Sequence, residues 1–150
     1  MTALAAPRPT SSKSTNCYPQ IAFKVNGGSK IYAGGMVMLD PDGFARPAAA
    51  LASNYGIVGV ALETADNTSG SDGAIEVVVQ CGIFRLVGAS LTQAKVGDPM
   101  YASDDQTFSG TQGSNEPLVG VLVRYESATD GWVLIPGLLL HLAATLPVAA

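Results

Sequence analysis

Acidic residues occur in pairs at three places in this chain. The pairs are Asp40 with Asp42, Asp66 with Asp72, and Asp104 with Asp105. Two neighbouring carboxylates can act as general acid and base, or cleave a glycosidic bond. Each pair lies in a stretch rich in Gly, Asn, Ser or Asp, where Asp is favoured because it accepts hydrogen bonds from nearby backbone N–H groups. We therefore interpret the pairs as turn residues, and keep a small hydrolase using Asp104 and Asp105 as an alternative.

Residues able to hold a metal or to act as nucleophiles are few. DPDG at 40–43 resembles the start of a calcium loop but lacks the later ligands and the closing Glu. The chain has a single histidine, His141, and two distant cysteines, Cys17 and Cys81. This spacing does not form a zinc cluster, and one pair of cysteines is no disulfide framework. Neither Gly-x-Ser-x-Gly nor a phosphate-binding glycine loop is present. The sequence thus predicts no catalytic residue, no metal and no cofactor, two free thiols in a reducing compartment, and Cys81 in the core.

Four rings offer a second chemistry, the stacking of sugars. Tyr55, Tyr101, Tyr125 and Trp132 occur singly among apolar runs. Aromatic side chains at such positions more often pack in a core or on a sheet face. A carbohydrate-binding or other adhesion module using Tyr101, Tyr125 or Trp132 stays open as the alternative function.

Charge is scarce and unevenly distributed. Charged residues make up 13% of the chain, against a usual share of about 25%. Residues 1–30 carry Arg8, Lys13, Lys24 and Lys30 and no acid, whereas the remaining residues carry four basic and all twelve acidic side chains. An acidic body of this kind excludes a nucleic-acid partner, because phosphate binding needs clustered Lys and Arg. A basic beginning fits an arm that reaches an acidic protein surface.

Short apolar runs separated by turn residues indicate an all-β fold. Strands are predicted at 20–25, 30–33, 36–39, 44–48, 57–62, 74–80, 83–87, 99–102, 107–109, 118–125 and 132–135. Many short strands at this spacing are typical of a small barrel or sandwich, and the sequence leaves these two open. Helical periodicity is weak, with a turn or two expected at 47–54 and 89–95.

A phrase occurs twice along the chain. Gly35 opens GMVMLDPDGFARPA and Gly59 follows in IVGVAL, while Gly97 opens GDPMYASDDQTFSG and Gly120 follows in LVGVLV. Each copy predicts a strand, an acidic turn, a second strand, a loop and a strand with a central glycine. Glycine inside a strand marks a bulge, a bend or a close backbone approach. We interpret the two copies as similar β units of one body, with chance similarity of hairpins as the alternative.

The two ends differ from this body. Residues 1–19 are rich in Pro, Ser and Thr and predict an extended, flexible arm; residues 20–136 form the β-domain; residues 137–150 are an uncharged apolar tail. The apolar stretch of this tail is too short to cross a bilayer, and the start is too short in apolar residues for a signal peptide. We expect a cytoplasmic product with no membrane partner. The tail must pack on its own domain or on a neighbouring subunit.

The phrases VGDPMYASDD, IVGVALE and VVVQCGIFRL resemble the capsid decoration, or head cement, proteins of tailed bacteriophages. The resemblance covers residues 20–135 and implies a β-tulip-like barrel or sandwich without enzymatic activity. It also implies a structural virion protein that is made in the bacterial cytoplasm, binds the outside of an assembled capsid and stabilises it. The implied partners are the major capsid protein and further copies of the chain, with a homotrimer favoured.

The arm and the tail have no counterpart in these phrases, so we predict the contacts from their chemistry. A disordered arm loses conformational freedom when it docks and needs apolar or charged contacts in return. The predicted partner interface is Arg8, Lys13, Tyr18, Pro19, Leu138, Leu139, Leu140, Leu142 and Leu146.

Overall fold

The computed structural model describes residues 20–137, which form twelve β-strands and one turn of 3₁₀ helix at Gln93–Lys95. The strands are β1 (Gln20–Lys24), β2 (Lys30–Ile31), β3 (Met36–Leu39), β4 (Ala45–Pro47), β5 (Ile57–Ala61), β6 (Ala65–Asp66), β7 (Glu76–Gln80), β8 (Gly82–Ala89), β9 (Pro99–Ala102), β10 (Thr107–Ser109), β11 (Leu118–Ser127) and β12 (Asp130–Ile135). The predicted all-β class is confirmed. Of barrel and sandwich, the structure has a barrel: β10, β8, β12, β11 and β9 close on themselves.

The chain is built from two units with the same strand pairing. In the first unit the sheet order is β1-β7-β5-β3-β4. In the second unit, the closed barrel, the same positions are held by β8, β12, β11, β9 and β10. The barrel closes through a parallel pairing of β8 with β10, and the first unit has a single parallel bridge at the matching place, Val25 to Ala45. The repeated phrase therefore corresponds to a structural repeat rather than to chance similarity.

The registers show which residues are equivalent. Val37 pairs with Gly59 in the first unit and Met100 pairs with Gly120 in the second. Both ladders then skip one residue, so that Met38 faces Ile57 and Tyr101 faces Leu118. The same bulge therefore precedes the central glycine of β5 and of β11, as the pattern of glycine inside an apolar strand predicts.

The two glycines are required for the same reason. A Cβ on Gly59 would come within 2.8 Å of the Gln80 carbonyl oxygen. A Cβ on Gly120 would collide with the carbonyl oxygen of Leu134. Gln80 and Leu134 are equivalent residues, since each pairs with the residue that follows its glycine, Val60 or Val121. Each unit thus brings the bulged strand against the backbone of the next strand, which leaves no room for a side chain.

Two apolar cores hold the units. One fills the first unit and includes Val25, Val37, Val58 and Val77. The other fills the barrel around Phe108 and extends to residues of the first unit: Met36, Met38, Ala48, Ile57 and Val60. Alternation along β3 and β5 divides the side chains between the cores, because successive residues of a strand point to opposite faces. The outer face of β3 and β5 therefore joins the two units.

The helix expected at 47–54 is wrong. Pro47 pairs with Val37 as the last residue of β4, and the Ala48 N–H donates to the Met36 carbonyl at 3.0 Å, so the β ladder continues into this segment. Ser53 then has a φ of 58°, which a right-handed helix does not allow. The turn expected near 89–95 is present only as the 3₁₀ turn, and β6 is a strand that the sequence reading missed.

Candidate partner-binding face

The paired acids hold turns, as predicted. Asp40 is buried; its Oδ1 accepts the N–H groups of Asp42 and Phe44 at 2.9 Å each. Its Oδ2 accepts the side-chain amide of Asn26 at 2.9 Å. Asp104 Oδ1 accepts the N–H groups of Gln106 and Thr107 in the matching turn of the second unit. These carboxylates are occupied by backbone donors, which argues for a scaffold role.

The third pair, Asp66 and Asp72, works in the same way. Asp66 accepts both the hydroxyl and the N–H of Thr68, and these hydrogen bonds hold the pKa of Asp66 below its ordinary value. Asp72 accepts the Gly27 N–H at 2.7 Å. Asn67 between them is buried, and its amide donates to the carbonyls of Val25, Asn26 and Ser71. The Asn67 side chain therefore holds loops of the first unit together from the inside.

Cys81 lies in the core, as predicted. It is buried, is not in a disulfide, and its thiol donates to the Val58 carbonyl at 3.3 Å. Burial raises the pKa of the Cys81 thiol, which keeps it protonated and unreactive. Within residues 20–137, no three His, Cys, Asp or Glu side chains come together as a metal site requires.

The three rings proposed for sugar stacking do not form a strip. Tyr125 packs against the barrel core. Tyr101 pairs with Leu118 near the start of β11, whereas Trp132 pairs with Arg124 six positions further along the same strand. The rings of Tyr101 and Trp132 therefore lie on distant parts of the barrel.

All nine residues of the predicted interface lie outside the described part of the chain. These are Arg8, Lys13, Tyr18 and Pro19 of the arm, and Leu138, Leu139, Leu140, Leu142 and Leu146 of the tail. The same holds for Cys17 and His141. Their assignment stays a prediction.

The structure reveals another surface, which we call the β8–β12–β11 face. It consists of the outward side chains of three adjacent barrel strands: Ile83, Arg85 and Val87 of β8, Asp130, Trp132 and Leu134 of β12, and Val123, Arg124 and Glu126 of β11. Ile83, Val87 and Val123 are 42%, 52% and 37% exposed. A bulge in β11 between Leu122 and Arg124 turns both Val123 and Arg124 outward.

Trp132 lies at the centre of this face between two arginines. Its strand partners are Arg85 on β8 and Arg124 on β11. Arg85 forms a bidentate ion pair with Asp130, and Arg124 Nε lies 2.7 Å from Glu126 Oε1. The Trp132 indole N–H donates to the same Glu126 oxygen at 3.1 Å. The Arg85 hydrogen bonds hold the pKa of Asp130 below its ordinary value, so the Arg85–Asp130 pair is ionised at neutral pH.

The first unit provides an internal comparison for this face. Strand register makes Gln20 equivalent to Ile83, and Lys24 equivalent to Val87. On the neighbouring strand, Gln80 and Val78 correspond to Leu134 and Trp132. The backbone pairing is the same. At three positions, those of Ile83, Val87 and Leu134, an apolar residue of the second unit replaces a polar residue of the first, whereas Trp132 replaces the apolar Val78. The strand pairing alone therefore does not require apolar residues at the exposed positions of Ile83 and Val87, which makes this face a candidate contact surface.

The sequence does not predict this face, because the residue pattern of one strand does not show which of its two sides faces the core until the neighbouring strand is known. The run GIFRLVGA is apolar on both sides, and only the register with β12 shows that Phe84 and Leu86 point inward while Ile83 and Val87 point outward. The repeat in the sequence begins after β1 and β8, at Gly35 and Gly97, so only the strand registers set Gln20 and Lys24 against apolar residues. Arg85 and Asp130, which are 45 positions apart, are brought together by pairing alone.

Comparisons of the chain with protein-family models, with curated proteins and with solved structures found no match. Over residues 20–137 the chain has no helix of the length and hydropathy needed to traverse a bilayer.

Proposed function

We propose that the chain is a structural protein that decorates the outside of an assembled phage capsid and stabilises it. The proposal rests on the phrases VGDPMYASDD, IVGVALE and VVVQCGIFRL, which resemble head cement proteins, and on the construction of the molecule. The structural observation that supports it is a body made of two units of one fold that share an apolar core. Residues 1–19 precede β1 of the first unit along the chain.

The body has the properties of a rigid scaffold. The carboxylates of Asp40 and Asp104 fasten equivalent turns, and the buried Asn67 amide ties three carbonyls of the first unit together. The outer face of β3 and β5 shares a core with the barrel, so the units are joined by apolar packing. A cement protein needs such a body, because it must resist deformation of the shell on which it lies.

The arm enters the body at an exposed strand. Residues 1–19 lead directly into β1, which pairs with β7. Ile21 faces the buried Val79, yet is itself 47% exposed, while its counterpart Phe84 packs against the barrel core. The first unit is therefore less covered where the arm begins. We propose that the arm, with Arg8 and Lys13, binds the major capsid protein at this end.

The experiment uses heads assembled without this protein. Full-length chain is added, the heads are separated from free protein, and bound copies are counted on a quantitative denaturing gel. We expect a number comparable to that of the major capsid protein, and heads that withstand more heating before releasing DNA. Many weak contacts suffice for such occupancy when the copies also contact one another.

Deletion of residues 1–18 is the matched variant. We expect it to reduce the bound copies at least tenfold while the urea midpoint of the body stays unchanged. A chain with the same eighteen residues in scrambled order separates specific contacts from charge, since it keeps the two cations. Full occupancy by the deletion variant would exclude the arm as the anchor. Failure of the full-length chain to bind at high copy number would exclude decoration itself.

A further inference from the structure

The β8–β12–β11 face is the strongest feature of the structure that the capsid role leaves without a partner. It combines three exposed aliphatic residues, Ile83, Val87 and Val123, with a central Trp132. Trp and Arg surrounded by aliphatic residues are the residue types that supply most binding energy in protein interfaces. The equivalent positions of the first unit carry Gln20 and Lys24 in place of Ile83 and Val87, so the strand pairing does not require apolar residues at these two positions.

Charge decides which partner fits. The full chain has a net charge of −4, so two copies carry net charge of the same sign. On this face, however, Arg85 is paired with Asp130 and Arg124 with Glu126. The face therefore has no net charge and already satisfies its ionic groups. A strongly basic or acidic partner would gain nothing from such a face, whereas a second copy can approach it without repulsion.

We propose that the β8–β12–β11 face binds a second copy of this chain. The aliphatic residues lose their contact with water and Trp132 becomes the buried centre. Arg85 lies between Ile83 and Val87 on β8, so its ion pair with Asp130 is covered together with them. The inference does not depend on the capsid role, because it concerns the free protein. It assigns self-association to the second unit, so the first unit and the arm stay available for contact with the capsid.

Trp132 supplies a direct readout, since it is the only tryptophan in the chain. Sedimentation equilibrium of the full-length protein gives the mass and the dissociation constant over a dilution series. Trp132 fluorescence and its quenching by acrylamide are recorded over the same series. We expect the emission to shift to the red, and quenching to increase, at the concentration where the mass falls to that of one chain. Association should change little between low and high salt, because the contact is neutral.

The variant Ile83→Gln with Val87→Lys gives the second unit the residues of the first at Gln20 and Lys24. The same pairing tolerates these residues in the first unit, so we expect the variant to fold. We expect its dissociation constant to rise at least tenfold. Ile83→Ser with Val87→Ser tests the loss of apolar area without added charge and should also weaken association. Gln20→Ser with Lys24→Ser, on the equivalent strand, is the control and should change nothing.

Several results would overturn the proposal. One is a full-length protein that stays monomeric at high concentration with Trp132 open to acrylamide. Another is an oligomer that persists in both Ile83/Val87 variants, which would place the contact elsewhere. Loss of head binding by these variants with unchanged self-association would assign the face to the capsid protein. Specific binding of a glycan that protects Trp132 in the monomer would assign it to a sugar.

Discussion

Gly120→Ala tests whether the repeat is built on a close approach of strands. The added Cβ would collide with the Leu134 carbonyl oxygen and lie 3.3 Å from Pro136 Cδ. The oxygen belongs to the main chain and cannot turn aside as a side chain does. Relief therefore requires β12 to move away from β11, which strains the Val121–Leu134 pairing. Overpacking of a well-packed site costs about 1–3 kcal/mol, and we expect Gly120→Ala to reach the upper end, about 3 kcal/mol.

Substitutions at two further glycines separate the cost of the steric clash from the cost of a left-handed backbone conformation. Gly59→Ala meets the equivalent oxygen, that of Gln80, at 2.8 Å, and should destabilise the first unit by about 2 kcal/mol. Gly43→Ala is the control, because no heavy atom lies within 4 Å of the added Cβ. Its φ of 87° leaves only the cost of placing alanine in a left-handed conformation, about 1–2 kcal/mol.

The assay is urea unfolding at one fixed protein concentration, followed by Trp132 fluorescence and far-ultraviolet circular dichroism. For a slope of about 1–3 kcal/mol per molar urea, a loss of about 3 kcal/mol lowers the midpoint by about 1–3 M. Gly120→Ala should also unfold the barrel before the first unit. The reasoning is refuted if Gly120→Ala lowers the unfolding free energy no more than Gly43→Ala does.

Two other predictions concern the acids. Asp40→Ala leaves two turn N–H groups and the Asn26 amide without their acceptor in a buried position, and should lower the unfolding free energy by about 3 kcal/mol in urea. Asp104→Ala, at an exposed turn, should cost about 1 kcal/mol, and an equal cost at both sites would contradict the role of burial. The pKa of Asp130 is lowered in the folded state by hydrogen bonds from Arg85, so the folded chain binds this proton less readily than the unfolded chain. Its contribution to stability is therefore present above the ordinary carboxyl pKa of about 4 and is lost as the pH falls through its lower folded value. Asp130→Asn should accordingly reduce the difference between urea midpoints measured at pH 7 and pH 3, and an unchanged difference would exclude the ion pair as its source.

Much of the fold could be predicted from local sequence patterns. MVML, EVVVQ and PMYA are short apolar runs bounded by turn residues, and each is a strand. The acids of DPDG and SDDQ were correctly interpreted because an Asp in a turn binds backbone donors within a few residues. PAAALASN failed because its apolar residues follow no local period, and pairing with β3 decided its conformation.

Long-range pairing decided what the sequence could not predict. The repeat of IVGVAL and LVGVLV was visible, but the equivalence of β1 with β8 was not, since GIFRLVGA and QIAFK share little. The β8–β12–β11 face depends on this equivalence and on a bulge after Leu122. Neither follows from composition or from alternation within one strand, so the predicted interface was placed entirely in the arm and the tail.

Cys81 is the whole covalent joint between the two units, because β7 ends at Gln80 and β8 begins at Gly82. Its thiol also donates a hydrogen bond to the Val58 carbonyl, which holds this connecting residue against the core of the first unit. A connection this short has no slack that could absorb a displacement. A force applied at the arm therefore reaches the barrel at once, through one residue and the shared core. The two units therefore move together as one rigid body.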